Sequence, residues 1–76
     1  MLILTQDRDR VFNLDTLKYI GIEYDYAEKT AEIIAFTQEG IGYTLGLYRN
    51  DLRAKDILKS IWKAYDSANI FEMPEE

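Results

Sequence analysis

Two patterns meet in residues 41–67, IGYTLGLYRNDLRAKDILKSIWKAYDS. The first eight residues alternate as in a strand with one buried face, formed by Ile41, Tyr43, Leu45 and Leu47. Asn50 is a favourable N-cap, and the apolar residues after it recur at spacings of three and four, which predicts a helix over 51–67. We expect this helix to cover a sheet with a broad apolar stripe, made of Leu52, Ala54, Ile57, Leu58, Ile61, Trp62 and Tyr65.

Four further strands are predicted before this segment, at about 2–5, 11–14, 17–26 and 30–37. Polar residues break the chain between them, and Gly40 suits a turn with positive φ. In the fourth strand, either Ile34 and Phe36 or the alternate residues 31, 33 and 35 face the core, and a bulge would reconcile both. Residues 70–73 suggest a last short extended segment.

The predicted architecture is therefore an α+β fold in one domain, residues 1–76. About five short antiparallel strands form one curled sheet, packed by a single C-terminal helix at about 51–67. A chain of 76 residues buries a small core, and without cysteine or histidine it has neither a disulfide nor a zinc site to reinforce it. We therefore expect tight packing or self-association, with a homodimer as the simplest form.

Composition argues against catalysis. The chain has no histidine for proton transfer and no cysteine thiolate, and its two serines, Ser60 and Ser67, have no histidine to activate them. Carboxylates at Glu23, Asp25 and Glu32 could support a metal-dependent hydrolase, but their spacing matches no calcium-binding loop and suits the solvated face of a hairpin. We predict no enzyme, no metal site and no cofactor.

The formal net charge of -5 disfavours nucleic-acid binding. Lys55, Lys59 and Lys63 repeat every four residues on the predicted helix and could bind phosphates, but such a ridge is typical of a solvated helix face. The apolar N-terminal run ends at Thr5, too early for a signal peptide or a membrane helix. We therefore expect a cytoplasmic protein without membrane contact.

Tyrosine is the residue type most suggestive of binding. Tyr19 and Tyr48 fall on the strand faces assigned to solvent, where tyrosine can seed a protein interface; alternatively, the rings simply cover backbone. Gly42 and Gly46 share a predicted face with Tyr48, which indicates either a bend or bulge or the close approach of a partner.

Four short segments of the chain are similar to segments of a known group of proteins: LTQD at 4–7, VFNLD at 11–15, LGLY at 45–48 and FEMPE at 71–75. In their order, and in the helix that follows the third, the chain resembles a set of small uncharacterised proteins of low-GC Gram-positive bacteria and their phages. The resemblance implies a bacterial or prophage origin, a cytoplasmic location and a shared fold, and it carries no activity or site residue.

The functional expectation is a small protein-interaction module that self-associates and contacts a protein partner through Tyr19 and Tyr48. The alternative is an acidic phage-type inhibitor whose carboxylates imitate phosphates and cover a nucleic-acid-binding surface of a host protein. The net charge and the resemblance motivate that alternative.

Overall fold

A computed structural model describes residues 1–76 and shows an α+β fold with one helix and two three-stranded sheets. The segments predicted from the sequence are all present, with shorter bounds. They are β1 (Leu2–Leu4), β2 (Val11–Asn13), β3 (Tyr19–Asp25), β4 (Thr30–Phe36), β5 (Gly42–Tyr48), α1 (Asp51–Ala64) and β6 (Ile70–Glu72).

The strands do not form one curled sheet, so that prediction is wrong. The small sheet has the order β2-β1-β6 and the large sheet the order β3-β4-β5. β6 returns from the C-terminal end of the chain to pair in parallel with β1, placing Leu2 beside Ile70. Because β1 already pairs antiparallel with β2, it becomes the central strand of the small sheet. A 3₁₀ turn at Leu14–Thr16 then leads into the large sheet.

Gln6 joins the two sheets where they meet. Its backbone N–H donates to the carbonyl of Leu45 at 2.8 Å. Its side-chain amide accepts from the N–H of Leu47 at 2.8 Å and donates to the carbonyl of the same residue at 3.0 Å. One glutamine side chain thus satisfies backbone groups on the edge of β5, as a paired strand would.

The core lies between α1 and the inner face of the large sheet. Ala31, Ile33 and Ala35 of β4 are fully buried, which decides the face of that strand, and Ile34 lies on the outer face at 8% exposure. Side chains spaced three and four apart on α1 pack against this inner face, namely Ala54, Ile57 and Ile61. The helix ends at Ala64, before the predicted residue 67, and the Tyr65 N–H bonds back to the Trp62 carbonyl.

A bulge in β5 reverses the orientation of the residues after it. The register passes from Ile34 opposite Thr44 to Ile33 opposite Gly46, so Leu45 has no partner. Gly46 and Tyr48 therefore point inward, and Tyr48 is 2% exposed, whereas Leu47 points outward. The predictions of a buried Leu47 and a solvent-facing Tyr48 are both wrong for this reason.

The C-terminal segment belongs to the structure up to the last residue. Met73 is fully buried in the core. From there on, each main-chain oxygen accepts a hydrogen bond from a different side chain. The pairs are Met73 with Arg8 (2.8 Å), Pro74 with Tyr48 (2.7 Å), Glu75 with Gln6 (2.8 Å) and Glu76 with Arg53 (2.7 Å). We call residues 73–76 the anchored tail.

Candidate functional site

An apolar groove of about 490 Å³ runs along one side of α1, where the helix overhangs the start of β3. Its floor and walls are apolar, and its charged lining residues are two lysines. We call it the helix groove; its lining residues are Leu14, Ile20, Lys55, Leu58, Lys59, Ile61, Trp62 and Tyr65.

Trp62 is the most exposed large side chain of the groove, at 77%, and it is the only tryptophan of the chain. The sequence predicted that it would be buried with the whole apolar stripe, and this is wrong. A sheet of three strands covers only the central line of the helix, so the flanking Leu52, at 74% exposure, and Trp62 extend into solvent. The breadth of the stripe was visible in the sequence, but the extent of the sheet that covers it was not, so the sequence carried no signal for this exposed apolar face.

The rim of the helix groove is cationic. Lys55 and Lys59 stand one helical turn apart along it, and no carboxylate is among the lining residues. Lys55 pairs with Asp51 at 3.0 Å in an (i, i+4) arrangement, whereas Lys59 makes no ion pair. The groove therefore presents apolar surface next to an unpaired positive charge.

One end of the groove is closed by a contact between Tyr65 and the 3₁₀ turn. The Tyr65 hydroxyl donates to Oδ1 of Asp15 at 2.7 Å, and the N-terminal ammonium lies 3.4 Å from Oδ2 of the same carboxylate. The hydrogen bond from Tyr65, and then the charge of the ammonium, hold the pKa of Asp15 below its usual range. The same bond raises the pKa of Tyr65.

Acid unfolding is expected to depend on Asp15. Because its pKa is lowered in the folded state, the unfolded chain takes up the proton first, and stabilisation by this carboxylate is lost as the pH falls below about 4. Between about pH 5 and pH 2, the urea midpoint should fall more steeply for the wild type than for Asp15→Asn. Tyr65→Phe, which removes the larger cause of the shift, should give an intermediate slope. Equal slopes for the wild type and Asp15→Asn would contradict this assignment.

Tyr19 and Tyr48, the residues predicted to form an interface, lie on opposite faces of the large sheet. Tyr19 is 53% exposed on the outer face and stacks on Phe36 with ring centroids 4.6 Å apart. Tyr48 is buried on the inner face, and this burial raises the pKa of its hydroxyl. The hydroxyl donates a hydrogen bond to the carbonyl of Pro74. The two rings therefore do not form one surface.

The acidic residues considered for metal binding lie at the far end of the β3–β4 hairpin. Glu23 stands directly opposite Glu32, and Glu32 accepts a hydrogen bond from Thr44. The carboxylate of Asp25 accepts from the N–H groups of Ala27 and Glu28 at 3.0 and 3.1 Å, which fixes the turn. Nowhere in the structure do three or more carboxylates come together as a set that could hold a metal ion.

Comparison with known proteins finds no matching family model, no matching curated protein and no matching solved structure. The single helix, α1, has 14 residues and is neither long nor apolar enough to cross a membrane.

Proposed function

We propose that the protein is a small protein-interaction module without catalytic activity, which self-associates through the helix groove. The exposure of Trp62 beside Leu58, at the edge of an apolar groove, is the observation that carries this proposal. Tryptophan is enriched among the residues that dominate binding energy at protein interfaces. An exposed indole next to apolar surface costs free energy in water and regains it when a partner covers it.

The shape and chemistry of the groove suit a protein side chain better than a small metabolite. Sites for small molecules combine apolar walls with several convergent polar groups that orient the ligand. In the helix groove the charged groups are the two lysines of the rim, Lys55 and Lys59, both on the same helix, and the Tyr65 hydroxyl is already bonded to Asp15. An apolar side chain of a partner would fill the groove, and carboxylates around that side chain would pair with the lysines of the rim.

The small core also supports self-association. Only 13 of the 76 residues are buried, and several large apolar side chains remain in solvent. A domain of this size is marginally stable, and covering apolar surface with a second copy adds to its stability.

Trp62→Ala is expected to weaken self-association at least about tenfold, a binding free energy of about 1.4 kcal/mol. As the only tryptophan, Trp62 reports directly on the groove: its emission should shift to shorter wavelength as wild-type protein is concentrated from about 1 μM to about 1 mM. Sedimentation equilibrium should show the loss of association in Trp62→Ala.

Leu52→Ala is the matched control, because Leu52 is similarly exposed on α1 but does not line the groove. It should associate like the wild type. An emission maximum independent of wild-type concentration, together with a strict monomer by light scattering, would contradict the proposed function.

The acidic inhibitor of a nucleic-acid-binding protein is a second proposal. Its support is the cleft at the β3–β4 hairpin, which is lined by Glu23, Asp25, Glu28 and Glu32. Other carboxylates are engaged elsewhere, since Glu72 and Glu75 pair with Arg8. The acids thus divide between separate surfaces, which gives this mechanism less support. Duplex DNA would displace a host protein bound in this way, and it would leave self-association through the helix groove unchanged.

A further inference from the structure

We propose that the occupant of the helix groove is the β3–β4 hairpin tip of a second copy of the chain, with Tyr26 as its anchor. The hairpin tip comprises residues 25–29. This inference rests on the proposed function, since it takes the groove to be an interface and names the surface that fills it.

The tip presents a preorganised aromatic anchor. Tyr26 is 84% exposed, the highest value among the large apolar and aromatic side chains of the chain. Its ring packs edge-on against Tyr24, with centroids 4.7 Å apart and planes at 79°. The turn beneath it is fixed by the Asp25 carboxylate and by Lys29 in the left-handed conformation, with φ of 58°. An anchor already held in place loses little conformational freedom on binding.

The charges of the tip and the groove are complementary. Glu23, Asp25, Glu28 and Glu32 line the cleft beside Tyr26 and take part in no ion pair, and Lys29 is the one cation of the tip. On the groove side, Lys59 offers an unpaired positive charge, and Lys55 stands one turn away in its pair with Asp51. A symmetric contact of groove with groove would instead bring the lysines of both copies together, which repel each other.

The position of the two surfaces requires contact between molecules. Ile20 lines the groove near the start of β3, and Tyr26 follows directly after the end of the same strand. At about 3.3 Å per residue, six residues of extended chain separate them by about 20 Å, so a molecule cannot place its own tip in its own groove. Each copy therefore offers a tip at one end and a groove at the other. This is a head-to-tail contact, which forms a ring of two or more copies where its rotation closes and an open filament where it does not.

Two single variants test this arrangement when they are mixed. Tyr26→Ala keeps its groove and loses its tip anchor, whereas Trp62→Ala keeps its tip and loses the groove tryptophan. Each alone should associate at least tenfold more weakly than the wild type. Their mixture should form a one-to-one dimer that does not grow further. Because Trp62→Ala contains no tryptophan, the emission of the mixture comes only from the groove of Tyr26→Ala, and it should shift to shorter wavelength as Trp62→Ala is added.

The double variant, Tyr26→Ala with Trp62→Ala, is the control titrant and should cause no shift, because it carries no anchor. Wild-type-like association of Tyr26→Ala overturns the role of the tip and leaves the groove interface standing. A wild-type emission that does not change with concentration overturns the groove interface itself. Both side chains are largely exposed, so circular dichroism should show unchanged folding of each single variant.

Discussion

Met73→Ala is expected to lower the free energy of unfolding by about 3 kcal/mol. The Met73 side chain is fully buried among residues of both sheets and of α1, so its truncation removes apolar contacts and leaves a cavity. A domain of this length has a total stability of only about 4 to 11 kcal/mol. The loss should appear as a lower midpoint in urea unfolding, followed by circular dichroism.

Ile70→Ala is the matched control for this substitution. Ile70 lies at the start of β6, next to Leu2, but is 60% exposed. Its truncation should cost less than about 1 kcal/mol. Equal losses for Met73→Ala and Ile70→Ala would show that the anchored tail does not contribute a core residue.

Gly46→Ala is expected to destabilise the protein by about 2 to 3 kcal/mol. A Cβ atom at this position would lie 2.5 Å from the Tyr48 hydroxyl oxygen and 2.6 Å from the nearest ring carbon, because the ring folds back over the glycine. Tyr48 is buried and cannot move aside without breaking the hydrogen bond of its hydroxyl to Pro74. The substitution combines overpacking of the core with the loss of one anchor of the tail.

Gly42→Ala on the same strand separates this steric effect from the general effect of adding a methyl group. A Cβ at Gly42 would meet Ile34 and Phe36 at 3.1 Å on the outer face of the sheet, where the ends of these side chains can adjust. Neither glycine has positive φ, so alanine adds no backbone strain at either position. Urea unfolding should show a change of less than about 1 kcal/mol for Gly42→Ala. A similar loss in both variants would contradict the specific role of Gly46.

Local sequence patterns were sufficient to predict where the strands and the helix lie. Alternation located β3 and β5, the Asn50 cap marked the start of α1, and the turn at Gly40 has the predicted positive φ of 89°. These features depend on neighbouring residues, whose side chains and backbone propensities determine them.

The partition into two sheets was not predictable in this way. It depends on β1 pairing with β6, between residues at the two ends of the chain, and no local pattern specifies that contact. The prediction that Tyr48 is exposed was wrong because one unpaired residue, Leu45, shifts every side chain after it to the other face of the sheet. The exposure of Trp62 was not predicted because periodicity shows only which side of a helix is apolar. How much of that side is buried depends on the extent of the opposing sheet.

The pairing of β1 with β6 also has a consequence for synthesis of the chain. Leu2–Leu4 leaves the ribosome before Ile70–Glu72, so the central strand of the small sheet is synthesised well before its parallel neighbour. Until then Ile3, fully buried in the finished fold, stays open to chaperones and to other nascent chains. Closing so long a loop is slow, and we expect the docking of β6 onto β1 to be a late step of folding.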